Sequence, residues 1–511
     1  MRRLILVGLL AFAVALTGTA YAEVQNIKVS GDLDIKAVSQ SNYDLKLTQE
    51  NRAGTDAGGD AADSDDDDVR FALSTVRVRV DADLTDNVST SVRLLNQRVW
   101  DSLGAADSDD EGSIQIDNAY VTLKEFLYSP LTVIAGRQNL TYGTGFIVGN
   151  GQLADPTGTF AGLATAAADS QAQHGQEYSA FNSYDAIRLI LDYAPLTVEG
   201  VWAKVNETGT DEDDETLYGA LVNYKLDRWE AEVEPYWFYK DDEAGGAAGG
   251  TAGGVITVND ATSTLGALRT YEIARTHTVG LRVAASPVEN LKLSGEGAHQ
   301  FGEIIDLGAG GITYQERDRD AWGANIYANY TWAQVPWTPS TGVGWTFYSG
   351  EETSGITDAP VGGRATGLDQ NDDFGAWDPV YRGSFTTYIQ DFFSGRDAAP
   401  NLYATFDAQD TNATTNRHLI SGDVQLSPME DVTLWGRWTH VRFDEEPRPG
   451  RSTHVGDELD VKALYDYTDD VQLSAWGGWF FPGDYYDDPT SSNSRGNQLA
   501  WTAGAGGSVK F

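Results

Sequence analysis

The sequence predicts an all-β transmembrane barrel of about 18 antiparallel strands, with short periplasmic turns and long extracellular loops. Three features carry that expectation: apolar and polar residues alternate with period two along many segments, the connections between segments are short and long by turns, and the last alternating segment ends in Phe511. Successive side chains of a strand point to opposite faces, so each segment has one greasy and one wet side. The 511 residues contain no repeated apolar runs of about 18 that would cross a bilayer as helices.

At the N-terminus, residues 1–22 read as a secretory signal peptide. Arg2 and Arg3 form its basic start, Leu4 to Leu16 its apolar stretch, and Ala20-Tyr21-Ala22 its cleavage site. Residues 23–511 are then the barrel itself. Ile27, Val29, Leu33 and Ile35 alternate with charged and polar neighbours in the first strand. The clearest segment sets Trp229, Ala231, Val233, Pro235, Trp237 and Tyr239 on one face, with Glu230, Glu232 and Glu234 on the other. Leu291 to Phe301, Leu459 to Tyr467 and Val471 to Phe481 repeat the pattern.

A soluble sandwich would turn the greasy faces inward, whereas a membrane barrel turns them outward around a polar lumen. Connection lengths separate the two. Short links fall at 83–87, 126–130, 193–195, 227–228, 287–290, 334–340, 428–431 and 468–470. Long ones fall at 38–68, 100–112, 141–184, 206–216, 240–270, 303–319, 350–416, 444–454 and 482–497. Strict alternation of this kind is the pattern of outer-membrane barrels, and places both termini in the periplasm. Leu402 to Phe406 looks strand-like, but a spanning strand there would invert every later link, so it belongs to the loop. Trp100, Trp202, Trp229, Trp332 and Tyr239 fall near strand ends, where interfacial aromatic girdles sit. A closing strand ending in Phe511 resembles the signal by which barrel assembly machinery recognises its clients.

Charge is unevenly spread. The chain holds 76 acidic against 35 basic residues, a net charge of -41, and about 48 of the acids lie in the nine long loops. That balance excludes a nucleic-acid binder, because phosphate neutralisation supplies most such affinity. The acidic loops, densest at Asp65 to Asp68 and Asp211 to Glu215, form a solvated surface facing lipopolysaccharide. They contain no D-x-D-x-D-G calcium loop, so calcium binding stays open. On the wet faces stand Arg77, Arg79, Arg93, Arg188, Arg282 and Arg437, with Arg137 a further candidate, opposite the Glu230, Glu232 and Glu234 ladder. Rings of charge select permeants by sign, and arginine suits carboxylates and phosphates because its fork binds them bidentately. The same residues also suit an internal ion-pair network that stiffens the wall.

Catalytic and cofactor signatures are absent from the sequence. Cysteine is lacking altogether, which excludes disulfides, Cys-ligated metal centres and C-x-x-C-H haem attachment. The six histidines (His174, His277, His299, His418, His440 and His454) show no H-E-x-x-H spacing, and there is no G-x-S-x-G elbow. No enzyme, cofactor or metal site is expected.

Several blocks resemble the alginate-export-type outer-membrane barrels. Gly136-Arg137-Gln138-Asn139-Leu140-Thr141-Tyr142-Gly143, running into Phe146-Ile147-Val148-Gly149, is similar to that family's G-R-Q-x-x-x-Y-G…G block. Ser183-Tyr184-Asp185-Ala186-Ile187-Arg188-Leu189 resembles its F-D-A-x-R-L strand start, with Tyr184 in place of Phe. Phe374 to Tyr381, Val455 to Asp460 and Phe480 to Asp484 resemble its F-D-P-x-Y loop, G-x-E-x-D strand and F-F-P-G-D closing hairpin. The resemblance implies an 18-stranded barrel carrying a hydrophilic solute or an acidic polymer such as alginate. Arg137 and Arg188 match family positions, while Glu230, Glu232 and Glu234 depart from the basic lumen of the family's namesake. The expected function is porin-like diffusion of small hydrophilic or charged solutes. Export of an acidic exopolysaccharide, or a non-transport surface barrel with cation-binding loops, are the alternatives. Oligomeric state is undetermined.

Overall fold

A computed structural model describes residues 26–42, 69–100, 114–149, 183–206, 215–242, 258–259, 268–307, 315–350, 373–391, 415–446, 452–486 and 498–511. The expected signal peptide, the strand-like Leu402 to Phe406 and the densest acidic stretches at Asp65 to Asp68 and 211–214 lie outside these residues.

The strands run, in chain order, β1 (Asn26–Ser41), β2 (Val69–Thr85), β3 (Val88–Val99), β4 (Gln115–Leu123), β5 (Leu131–Gln138), β6 (Tyr184–Asp192), β7 (Leu196–Asn206), β8 (Glu215–Leu226), β9 (Ala231–Asp242), β10 (Val258–Asn259), β11 (Leu268–Val288), β12 (Leu291–Leu307), β13 (Gln315–Thr331), β14 (Ser340–Tyr348), β15 (Arg417–Met429), β16 (Val432–Arg442), β17 (His454–Thr468), β18 (Val471–Pro482) and β19 (Ala500–Lys510). Every one pairs antiparallel with its neighbour in sequence, except that β9 pairs β11 directly and the two-residue β10 only extends the edge of β11. β1 pairs β19 from Asp32↔Lys510 to Ser41↔Trp501, closing an 18-stranded ring. Closure gives each strand of the ring a neighbour on both sides, which hydrocarbon requires. Gly31 and Phe511 exchange backbone hydrogen bonds at 2.8 and 3.0 Å, tying the chain's end to its first strand.

The apolar faces point outward. Leu189, Val279, Leu281, Val283, Val343, Ile420, Val424 and Leu473 are large apolar residues left exposed, whereas strand neighbours such as Arg188, Thr278, Arg282, Ser421 and Asp423 turn into the barrel. Asp86–Asn87, Glu289–Asn290, Glu430–Asp431 and Asp469–Asp470 make two-residue turns at the periplasmic end. Asn290 adopts a φ of 66°, which asparagine tolerates better than most residues. Strands β11, β12 and β13 outrun the roughly 10 residues a tilted strand needs to span, with 21, 17 and 17 residues.

The strand and link order follows the sequence expectation, with differences at several borders. The expected loop 303–319 contracts to 308–314, because β12 and β13 remain paired from Asp306↔Gln315 onward. Trp229 and Glu230 are not on β9 but in a 3-10 turn, Arg228–Glu230, where both take positive φ and leave the sheet.

The outward orientation has a direct energetic consequence. Leu281→Arg puts a guanidinium against hydrocarbon and lowers the unfolding free energy by about 2–4 kcal/mol in urea titrations of the bilayer-inserted protein. A change under about 0.5 kcal/mol, usual for a water-exposed surface, contradicts that orientation.

Candidate functional site: the lumen

The candidate arginines of the wall are ion-paired, and register explains how. Arg77 and Asp32 are directly opposed on β2 and β1 and meet at 2.9 Å. Arg79 faces Arg93 across β2 and β3, an arrangement that like charges disfavour. Asp81 relieves it on one side, 2.9 Å from Arg79, and the buried Asp117 on the other by binding Arg93. Asp117 reaches inward because the β3–β4 register slips by one residue between Arg93 and Leu94. Arg188 holds Glu199 with both arms of its fork, Arg282 meets Glu232 at 3.3 Å, and Arg437 meets Asp423 at 3.5 Å.

Two expected wall residues lie elsewhere. Arg137 is on the outer face, opposite Asp185 in the β5–β6 register and 3.5 Å from it. Glu230 stands in the turn before β9 and is exposed, so the acidic ladder on β9 is Glu232 and Glu234, the latter accepting a hydrogen bond from Asn223 at 3.0 Å.

The lumen also receives two segments from extracellular loops. Residues 139–149 follow β5, and residues 373–391 belong to the loop between β14 and β15. They meet in a parallel bridge, Val148↔Tyr381, with Tyr381 N–H donating to Ile147 O at 3.0 Å and Gly383 N–H to Gly145 O at 2.8 Å. Gly149 lies so close to Gly383 that an added Cβ would sit 2.6 Å from its Cα, which is why glycine is needed at this crossing. Phe146, Ile147, Val148, Trp377, Tyr381 and Ile389 are buried among inward-facing wall residues such as Tyr184, Leu217, Phe238, Tyr348 and Phe480. Phe146 stacks on Tyr348 at 5.4 Å between centroids.

Burying a loop demands partners for its backbone polar groups. The Glu458 carboxylate supplies three, accepting the N–H groups of Tyr388, Ile389 and Gln390 at 2.8, 2.7 and 2.9 Å. Asp391 accepts those of Thr386 and Thr387 and pairs with Arg382 at 3.0 Å, both side chains being 4% exposed or less. Gln300 bonds the main chain of Asp378 in both directions, at 2.7 and 2.8 Å. Lys240 and Arg319 flank the Asp378 carboxylate at 3.7 and 3.8 Å. Burial pushes that carboxyl up, but Lys240 and Arg319 override it and hold it below the usual aspartate range. This anchor is therefore complete above the ordinary aspartate value and is lost only as pH falls through the lower folded one. Tyr142 and Tyr381 donate to Glu199 and Glu215, each at 2.7 Å.

Against β1 and β2 the wall stays wet. Asp32, Asp34, Lys36, Arg77, Arg79 and Asp81 have side chains between 23% and 39% exposed. Sequence reasoning missed the residues that seat the inner segments: Lys240, Gln300, Arg319, Asp378, Arg382, Asp391 and Glu458. Asp378 and Glu458 fell within blocks noted for their family resemblance but were given no role, and a further signal lay in Phe374, Trp377, Tyr381, Phe385 and Tyr388, too many aromatics for a loop that stays in water.

Removing one partner of a buried pair strands the other. Arg382→Ala leaves Asp391 unpaired and destabilises the seated 373–391 segment by roughly 3–5 kcal/mol. Amide exchange should then accelerate at 386–391 while the strand amides keep their protection; unchanged exchange at 386–391 would contradict the role given to this pair.

A family model described as alginate export matches residues 42–498. Solved structures with a similar course include the outer membrane protein opdK from Pseudomonas aeruginosa, at 9% identity and a TM-score of 0.48, covering 96% of this chain and 99% of that one. Pseudomonas aeruginosa OccK2 (OpdF), solved in complex with glucuronate, is 10% identical with a TM-score of 0.49, covering 96% and 98%. Acinetobacter baumannii OccAB3 is also 10% identical with a TM-score of 0.49, covering 96% and 100%. No curated protein sequence matches. With the family model spanning nearly the whole 18-stranded barrel, the chain belongs to the alginate export family of outer-membrane channels.

Proposed function

We propose that this channel passes small hydrophilic or charged solutes by diffusion, acting as a pore rather than as an enzyme. The observation that carries this reading is the wet, charge-paired wall on β1 and β2 beside the two inner segments. Paired charges on a wetted wall offer a solute successive weak contacts of both signs, which favours entry without tight retention. The inner segments narrow the remaining space and limit the size of what passes.

Export of an anionic polysaccharide is the second reading, and the family supports it. A polyuronate chain needs a track of cationic groups able to exchange one carboxylate for the next. Here Arg77, Arg79, Arg93, Arg188, Arg282 and Arg437 already hold carboxylates of the wall, so diffusion of small solutes fits better.

Single-channel recording in planar bilayers tests the leading reading. Purified protein should give stepwise conductance, and replacing Arg77 and Arg79 together by alanine should raise cation over anion permeability about twofold by removing fixed positive charge. Protein that inserts and never conducts would defeat the proposal, as would a double variant with unaltered selectivity.

A further inference from the structure

The five histidines among the described residues lie on the outer face, stacked among aromatic rings, and His418, His440 and His454 stand at the extracellular ends of their strands. His277 lies against Tyr239 and Phe301, His299 against Trp322, and His418 against Phe347. His299 and His418 each meet one carboxylate, Asp320 at 2.7 Å and Asp444 at 3.0 Å. The pair on β16 and β17 differs from these, because two imidazoles and a carboxylate converge there.

We propose that His440, His454 and Asp457 form a binding site for a divalent d-block cation on the outer rim of the barrel. One nitrogen or oxygen from each lies within 4.8 Å of the other two. Nδ1 of His440 is 3.0 Å from Asp457 Oδ1, and Nε2 of His454 is 3.5 Å from Asp457 Oδ2. A tetrahedral ion with ligand bonds of about 2.0–2.1 Å holds neighbouring donor atoms roughly 3.4 Å apart. Each imidazole is already near that spacing from one carboxylate oxygen of Asp457, His440 from Oδ1 and His454 from Oδ2. The two rings stack at 5.2 Å between centroids with planes 24° apart, so a small rotation of each brings the nitrogens together.

The two sides of Asp457 are not equivalent. His440 Nδ1 is hydrogen-bonded to it, but His454 Nε2 is closed off from solvent with no hydrogen-bond partner. A buried nitrogen without a partner is unfavourable, and a cation held between it and the carboxylate removes the cost. Two neutral imidazoles and a carboxylate suit zinc, copper(II) or nickel, whereas calcium and magnesium prefer all-oxygen sets. The three side chains as wholes are 30–38% exposed, which leaves room for water to complete the coordination around the buried Nε2.

Backbone geometry builds the cluster. His454 and Asp457 are three residues apart, so in a regular strand they would face opposite ways. The β16–β17 register slips between Val441 and Arg442, whose partners are Gly456 and His454. Val455 is the extra residue, and Gly456 takes a φ of 151°. The bulge restores both side chains to the outer face, beside His440 on β16. Behind His454, the turn that follows β18 presses close: a Cβ on Gly483 would lie 2.4 Å from His454 O and 2.8 Å from its Nδ1. Tyr485 N–H donates to the same carbonyl at 3.1 Å. This packing holds the ring with Nε2 toward Asp457.

Zinc uptake by the purified full chain in detergent, measured by competition with a chromophoric chelator, tests the proposal. A millimolar excess of calcium is kept present to occupy the acidic loops. One zinc ion per chain is expected to bind, with affinity falling more than about tenfold in His454→Gln and in Asp457→Asn. His418→Gln, which removes an imidazole facing a single carboxylate, should bind as the parent does. Heat-modifiable gel mobility reports whether each variant keeps its barrel. Should a variant fail to fold, electron paramagnetic resonance of copper(II) bound to the parent chain decides instead, since two imidazole ligands give resolved nitrogen couplings. No stoichiometric uptake, uptake that survives His454→Gln, or a copper spectrum of oxygen ligands alone would overturn the site.

Discussion

A peptide group in hydrocarbon has no water to bond, and this requirement governs the whole molecule. Strands satisfy it only when the sheet closes, which the β1–β19 ladder accomplishes. Closure then sets the faces: lipid takes Val279, Leu281 and Val283, and the lumen takes Thr278, Arg282 and their neighbours. Eighteen strands enclose more space than wall side chains can fill. The interior must hold water, polypeptide or both: the two inner segments fill part of it, and the solvent-accessible charges of β1 and β2 line the rest.

Electrostatics follow from that arrangement. The wall carries acids and arginines at cross-strand spacing, so most charges find partners without leaving their strands, as Arg77 and Asp32 do. Other carboxylates serve the inner segments. Glu458 of the wall binds backbone N–H groups of 388–390, Asp391 of the segment itself binds those of 386 and 387, and Asp378 is clasped by Lys240 and Arg319. Carboxylates that look like a selectivity filter in sequence thus divide their work between solvating loops, neutralising arginines and fixing the inner segments.

The parts of this structure that depend on period two were legible in the sequence, because a strand's faces alternate whatever its neighbours are. Strand number, turn positions and the inward arginines Arg77, Arg79, Arg93, Arg188, Arg282 and Arg437 follow from it. Arg137 was not legible: Leu131, Val133 and Ala135 share its parity, but Ile134 opposite is apolar too, so β5 has no clear wet side. Glu230 failed for a different reason, since the positive φ of Trp229 and Glu230 takes them off the strand without a glycine to announce it. Bulges hide still more. The slip at Gly456 reverses parity and unites His454 with Asp457, which spacing alone places on opposite faces. The seat of 373–391 rests largely on partners distant in the chain, among them Glu458, 68 residues from Gln390, and Glu215, 166 from Tyr381, and no local pattern encodes such contacts.

Side-chain direction along a single strand is the most direct test of the inverted barrel. The chain has no cysteine, so single cysteines at Val76, Arg77, Val78, Arg79 and Val80 can each carry a nitroxide without background labelling. In lipid bilayers, collision with oxygen should dominate at 76, 78 and 80, and collision with a water-soluble nickel chelate at 77 and 79. The opposite phase, or no alternation at all, would contradict a structure whose apolar faces meet lipid and whose charges line the lumen.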